Sequence, residues 1–213
     1  MTEIVAEISG NHDGSLENAL RLIQAAKDAG ADAVKFQCFD CYLLADKRFR
    51  AGISWEGRKM EFNDLLQLYS KTETPQSWFP TLINKAQTLQ LPWFSSVFHS
   101  FTVTFLETLN CPRYKISAYE MLDGDLINAV VATGKPIVMS VRPKPGLTIL
   151  RASDYEGYFS ELGISDHRPD PPAKIFNWPM IERHIRLPDV DTPDAAFSST
   201  PDEFAAYVKA IRS

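Results

Sequence analysis

Short apolar runs alternate with amphipathic stretches from the first residues onward. Ile4 to Ile8 reads as a strand, and Ser15 then caps a helix whose Leu16, Ala19, Leu20, Ile23 and Ala26 share one face before Gly30 ends it. Ala33 to Gln37 is the next strand. A long insertion, Cys38 to Glu73, separates it from Thr74 and Pro75, an N-cap and N1 pair that opens a helix running to Leu89, with Pro80 disturbing its first turns. Trp93 to Val97, Tyr114 to Ser117 and Ile137 to Val141 continue the strands, with helices over Phe101 to Leu109 and Asp125 to Thr133 between them.

After Val141 the rhythm changes. Arg142 to Gly146 (RPKPG) is too short and too proline-rich for a helix, yet Leu147 to Leu150 already has a strand pattern. Leu162 to Ser165 and Met180 to His184 are the last strands, and Thr200, Pro201 and Glu203 form a capping box for a helix with Phe204, Val208 and Ile211 on one face. Strands alternating with helices predict an α/β fold, and eight strands with about five helices fit a minimal (β/α)8 TIM barrel. One domain over residues 1–213 is expected, with the helices after strands five to seven shortened or missing. A doubly wound sheet lacks support, because no glycine-rich phosphate turn follows the first strand.

Composition narrows the function. With 213 residues and 45% hydrophobic content the chain can build a core without disulfide or metal, so any metal here is functional. A net charge of -5, with no basic cluster larger than the one around Lys47 to Arg50, predicts no nucleic-acid partner. The apolar stretches fall short of the roughly 20 residues that a bilayer span needs, and MTEIVAEISG lacks the features of an export signal. No membrane association and a cytoplasmic location are therefore expected. Cys38, Cys41 and Cys111 read as reduced thiols, since the lone C-x-x-C has no second pair to complete a zinc site.

In a barrel, chemistry sits at the C-terminal strand ends. Those ends offer Glu7 (followed by Asn11 and His12), Lys35, Gln37, Ser95, Ser96, Lys115, Ser117, Ser140, Ser165, Asp166, His167, Glu182 and His184. One lysine in an apolar strand ordinarily snorkels to the rim. Two of them, in AVKFQ and RYKIS, facing several hydroxyl residues, would build a pocket for phosphate or carboxylate. His167 and His184 would converge on one divalent ion if they end neighbouring strands.

The motifs AEISGNHDGSLENA, GADAVKFQ, YSKTETP, YKIS, GKPIVMS, GISDH, IERHI and PDAAFSSTPDEF, in that order, resemble the sialic acid synthase (N-acylneuraminate synthase) family. That resemblance implies a TIM-barrel catalytic domain that joins phosphoenolpyruvate to the open-chain aldehyde of an N-acylmannosamine-type sugar, giving a 2-keto sugar acid and phosphate. It implies His167 and His184 as metal ligands, with Mn2+ favoured and Mg2+, Co2+ or Zn2+ as alternatives. Lys35 and Lys115 with Ser96, Ser140 and Ser165 match the phosphoenolpyruvate pocket, Glu7 matches the acidic residue beside the reacting carbon, and Ser117 at the end of strand four is a further candidate for substrate binding. Asn11, Gln37 and Asp194 fall on the sugar side.

The chain departs from the family pattern at Ala118, at Ser140 to Pro143 (SVRP), at Asp154, which is expected near the phosphate or sugar, and at Ala195. The family's C-terminal antifreeze-like domain is not expected. Two other readings compete: a weak or inactive sugar-acid or phosphate-binding barrel, and a Schiff-base aldolase using Lys115 or Lys35. Missing outer helices also predict a homodimer that buries the bare strands, with Tyr155, Tyr158, Phe159, Phe176 and Trp178 in the contact.

Overall fold

The computed structural model describes residues 2–52, 54–55, 58–144, 147–153, 159–168 and 178–213. Eight strands close into a barrel: β1 Glu3–Glu7, β2 Ala33–Cys38, β3 Trp93–Val97, β4 Tyr114–Ile116, β5 Ile137–Lys144, β6 Leu147–Ser153, β7 Phe159–Asp166 and β8 Met180–His184. They follow one another around the barrel in chain order, and β1 pairs with β8 to close it. The helices are α1 Leu16–Asp28, α2 Cys41–Arg50, α3 Phe62–Thr72, α4 Phe79–Thr88, α5 Ser100–Glu107, α6 Gly124–Val131 and α7 Pro201–Arg212.

Local chemistry accounts for the helix ends. Ser15 accepts from the Asn18 amide at the start of α1, and the Thr200–Glu203 capping box with Pro201 opens α7. Pro80 falls in the first turn of α4, which begins at Phe79 after a short 3-10 turn, so it costs no helix hydrogen bond.

Seven strands are mutually parallel and β6 is not: it pairs antiparallel with both β5 and β7. The expected minimal barrel of eight strands is therefore present, with the direction of β6 as its one departure from an all-parallel barrel. Only residues 145 and 146 separate β5 from β6, and a connection that short can join antiparallel strands but cannot make the crossover that parallel neighbours need. The insertion between β2 and β3 carries α2 and α3, which the sequence pattern left unassigned; Asp40 caps α2 by accepting from the Leu43 amide.

Strand alternation sorts the interior into layers. Val5, Ala33, Phe94, Val138 and Met180 form a buried apolar plug within the barrel. Two residues further along their strands come Glu7, Lys35, Ser96, Ser140 and Glu182, all buried. The outward faces, including Ile4, Ala6, Val34, Phe36 and Tyr114, join the helices in the main core. At Gly163 a side chain would collide with the backbone carbonyl of Met180, so glycine is what lets β7 lie close against β8. Tyr155, Tyr158 and Phe176 lie outside the described residues, whereas Trp178 packs within its own chain beside Ile164, Ile181 and Tyr207.

Candidate active site

The charged layer opens into a cavity of about 410 Å³. Glu7, Lys35, Gln37, Ser96, Lys115, Ser117, Ser140, His167, His184 and Asp194 all line it, so the structure brings together most of the residues expected at the strand ends. Ser165 stands just behind the wall, fully buried, and its hydroxyl donates to Glu182 Oε1 at 2.7 Å. Asn11 does not line the cavity. Its amide nitrogen donates to Ile185 O and Ser198 Oγ and its oxygen accepts from Thr192, so its polar atoms tie the β1 loop to the chain after β8. Asp154 lies outside the described residues.

Glu182, placed at the end of the eighth strand but given no role by the sequence pattern, is the hub of the floor. Lys35 Nζ lies 2.7 Å from Glu182 Oε2 and Lys115 Nζ lies 2.6 Å from Oε1, while Lys35 also pairs with Glu7. Burial alone would push the Glu182 carboxyl up, but Lys115 and Lys35 outweigh it and hold it well below the ordinary carboxylate range. Burial pulls Lys35 down from the usual lysine range, with Glu182 opposing. Two ammonium groups and two carboxylates thus stand in balance on the cavity floor.

The two histidines converge as their strand positions require. Their ring centroids are 5.1 Å apart, with Phe197 edge-on to both. Burial, then the Lys115 charge, takes His167 down to about 4, and burial, then His167, takes His184 well below its ordinary value. Both imidazoles are therefore neutral near pH 7, the protonation state a metal requires. His184 Nδ1 is buried with no hydrogen-bond partner, and Asp194 Oδ2 is 3.6 Å away. These features fit a divalent ion held by two nitrogens. Among the described residues no cluster of three or more His, Cys, Asp or Glu is found, so the two imidazoles are the protein groups that would hold such an ion.

The opposite wall comes from the insertion. Phe39, Leu44, Arg48, Leu68, Tyr69 and Thr72 face the cavity from α2, α3 and the end of β2. Arg48 is buried in an ion pair with Glu120, which also accepts from Ser117, and its guanidinium stacks 4.8 Å from the Tyr119 ring centroid. No motif announced this wall, because its charges pair across a long stretch of sequence.

The model of the NeuB family matches residues 22–142. Pseudaminic acid synthase of Helicobacter pylori is 32% identical, with 99% of this chain and 73% of that protein covered. Spore coat polysaccharide biosynthesis protein SpsE of Bacillus subtilis is 31% identical over 98% of this chain and 66% of its own length. The crystal structure of N-acetylneuraminic acid synthetase from Leptospira borgpetersenii superposes with a TM-score of 0.69, 20% identity and coverage of 98% of this chain and 82% of that one, which establishes the shared barrel. The Helicobacter alignment is 253 positions long against 213 residues here, so the relative has a longer chain over the same span. By family model, sequence identity and barrel, the chain belongs to the NeuB family.

Proposed function

We propose that this protein condenses phosphoenolpyruvate with the open-chain aldehyde of an N-acylated amino sugar, forming a 2-keto sugar acid and releasing phosphate. The observation that carries the reading is the convergence in one cavity of Lys35 and Lys115, with their carboxylates, and two neutral histidines. Lys35 and Lys115 offer ammonium groups, and Ser96 and Ser140 hydroxyls, to the phosphate and carboxylate oxygens, whereas the Ser117 proton is already given to Glu120. Holding that anion fixed beside the aldehyde removes most of the entropic barrier to forming the new bond between C3 of the enol and the aldehyde carbon.

Glu7 sits beside Lys35 with Oε1 accepting the Ser9 amide at 2.9 Å, a fixed carboxylate suited to orienting the water that adds at C2. The adduct then loses phosphate by cleavage of its C2–O bond, leaving the ketone. His167 and His184 are the residues that would hold a divalent ion, Mn2+ being favoured; such an ion supplies Lewis acidity toward an aldehyde oxygen. Phosphate release from phosphoenolpyruvate in the presence of Mn2+ and a panel of amino sugars tests the reading. Release that depends on the sugar supports it, and none with any sugar defeats it.

A further inference from the structure

Ser9 is a non-glycine residue at φ 48, in the left-handed region that L side chains rarely occupy, and it lies buried on the cavity wall just after β1. Serine gains nothing there from backbone preference, so its side chain is the place to look for a reason. The hydroxyl donates to Asp194 Oδ2 at 2.5 Å and accepts from Gln37 Nε2 at 2.9 Å. A serine has one proton to give. Since it goes to the carboxylate, the Gln37 group facing Ser9 must be the NH2, which also reaches toward Glu7 Oε1 at 3.4 Å.

The orientation of the amide is thus set by the network, and its carbonyl oxygen is left for the cavity. The second Asp194 oxygen likewise has no protein hydrogen bond among the described residues. Both free ends are acceptors, and an anion would find no donor on this rail, whereas hydroxyl groups would. We propose that Ser9 is a positioning residue that aims Gln37 and Asp194 as paired acceptors for two donor hydroxyls of the sugar. This inference rests on the proposed condensation and on the sugar-side placement of Gln37 and Asp194 that the family resemblance implies; what it adds is the part played by Ser9.

The test uses the full chain with Mn2+, phosphoenolpyruvate and N-acetylmannosamine as the acceptor, comparing Ser9→Gly and Ser9→Ala. Glycine removes the hydroxyl and the backbone strain together, and alanine removes the hydroxyl alone. Loss of one aimed hydrogen bond should raise the KM for the sugar about tenfold in both variants, while the KM for phosphoenolpyruvate stays within about twofold. A general structural role would move both constants. Unchanged sugar KM in Ser9→Gly, which carries no strain and folds at this position, or an equal rise in both constants, overturns the assignment of Ser9 alone. If N-acetylmannosamine is not turned over, the comparison is run with whichever sugar of the panel supports release, and failure of the wild-type protein to release phosphate with every sugar overturns the parent reading and this one with it.

Discussion

Lys115 Nζ lies 2.6 Å from Glu182 Oε1, and the other oxygen of the same carboxylate holds Lys35 at 2.7 Å. One buried glutamate therefore fixes the spacing of the two cations expected to meet phosphoenolpyruvate. Replacing Lys115 by Met leaves Glu182 with Lys35 alone and removes one ammonium from the cavity. Affinity for inorganic phosphate or phosphoenolpyruvate, measured by calorimetry, should fall about tenfold or more, the worth of a charge-assisted hydrogen bond. Lys35→Met should do the same. Unchanged affinity in both variants would return the lysines to a structural role.

The proposed ion has a direct test in His167 and His184. Either histidine changed to Ala leaves one nitrogen ligand, too few to hold a divalent ion against dialysis. Elemental analysis of the dialysed protein should find near-stoichiometric Mn2+ or Zn2+ in the wild type and little in either variant. Full occupancy in the double variant would rule out these histidines as ligands.

Arg48 and Glu120 form the buried ion pair on the insertion side, and Lys47 stands 3.9 Å from the same carboxylate. Arg48→Met removes the closer cation and leaves Glu120, which has no solvent exposure, nearly uncompensated. Breaking such a pair costs about 3–5 kcal/mol, with Lys47 keeping the loss near the lower figure. Urea unfolding should show it, and Glu120→Gln in the same chain should restore much of the stability, because a neutral amide no longer needs the cation.

The strand series through Val141, the polar residues at the strand ends and the pairing of the two histidines were legible from periodicity and barrel geometry. The direction of β6 was not, since an apolar run has the same pattern read either way; the information lay in the two-residue Pro145–Gly146 link, which excludes a crossover. The capping signal at Asp40 was present but masked by the charged, irregular stretch around it, so α2 and α3 were missed. Glu182 and Arg48 escaped assignment for a common reason. Their meaning depends on partners brought close only by closure of the barrel. Asn11 shows the reverse, a polar residue beside the site whose bonds all turn into the fold.

His12 follows the first strand and is buried against Trp78. The Gly14 amide donates to its Nδ1 at 3.1 Å, so Nε2 carries the proton and faces Thr74 Oγ1, also at 3.1 Å. Protonating Nδ1 would break the Gly14 bond as well as bury a charge. Burial accordingly takes His12 down to about 4, with Asp13 opposing. In the unfolded chain the group titrates near 6.5, so below that value the unfolded state binds a proton the folded state refuses. The stabilisation is present in full above about pH 6.5 and is lost as pH falls toward about 4, an effect on the order of 3 kcal/mol. His12→Gln removes this term. Urea midpoints of wild type and variant, compared from about pH 7 to about pH 4.5, should converge as acid is added. A gap that stays constant across that range would show that His12 titrates alike in both states.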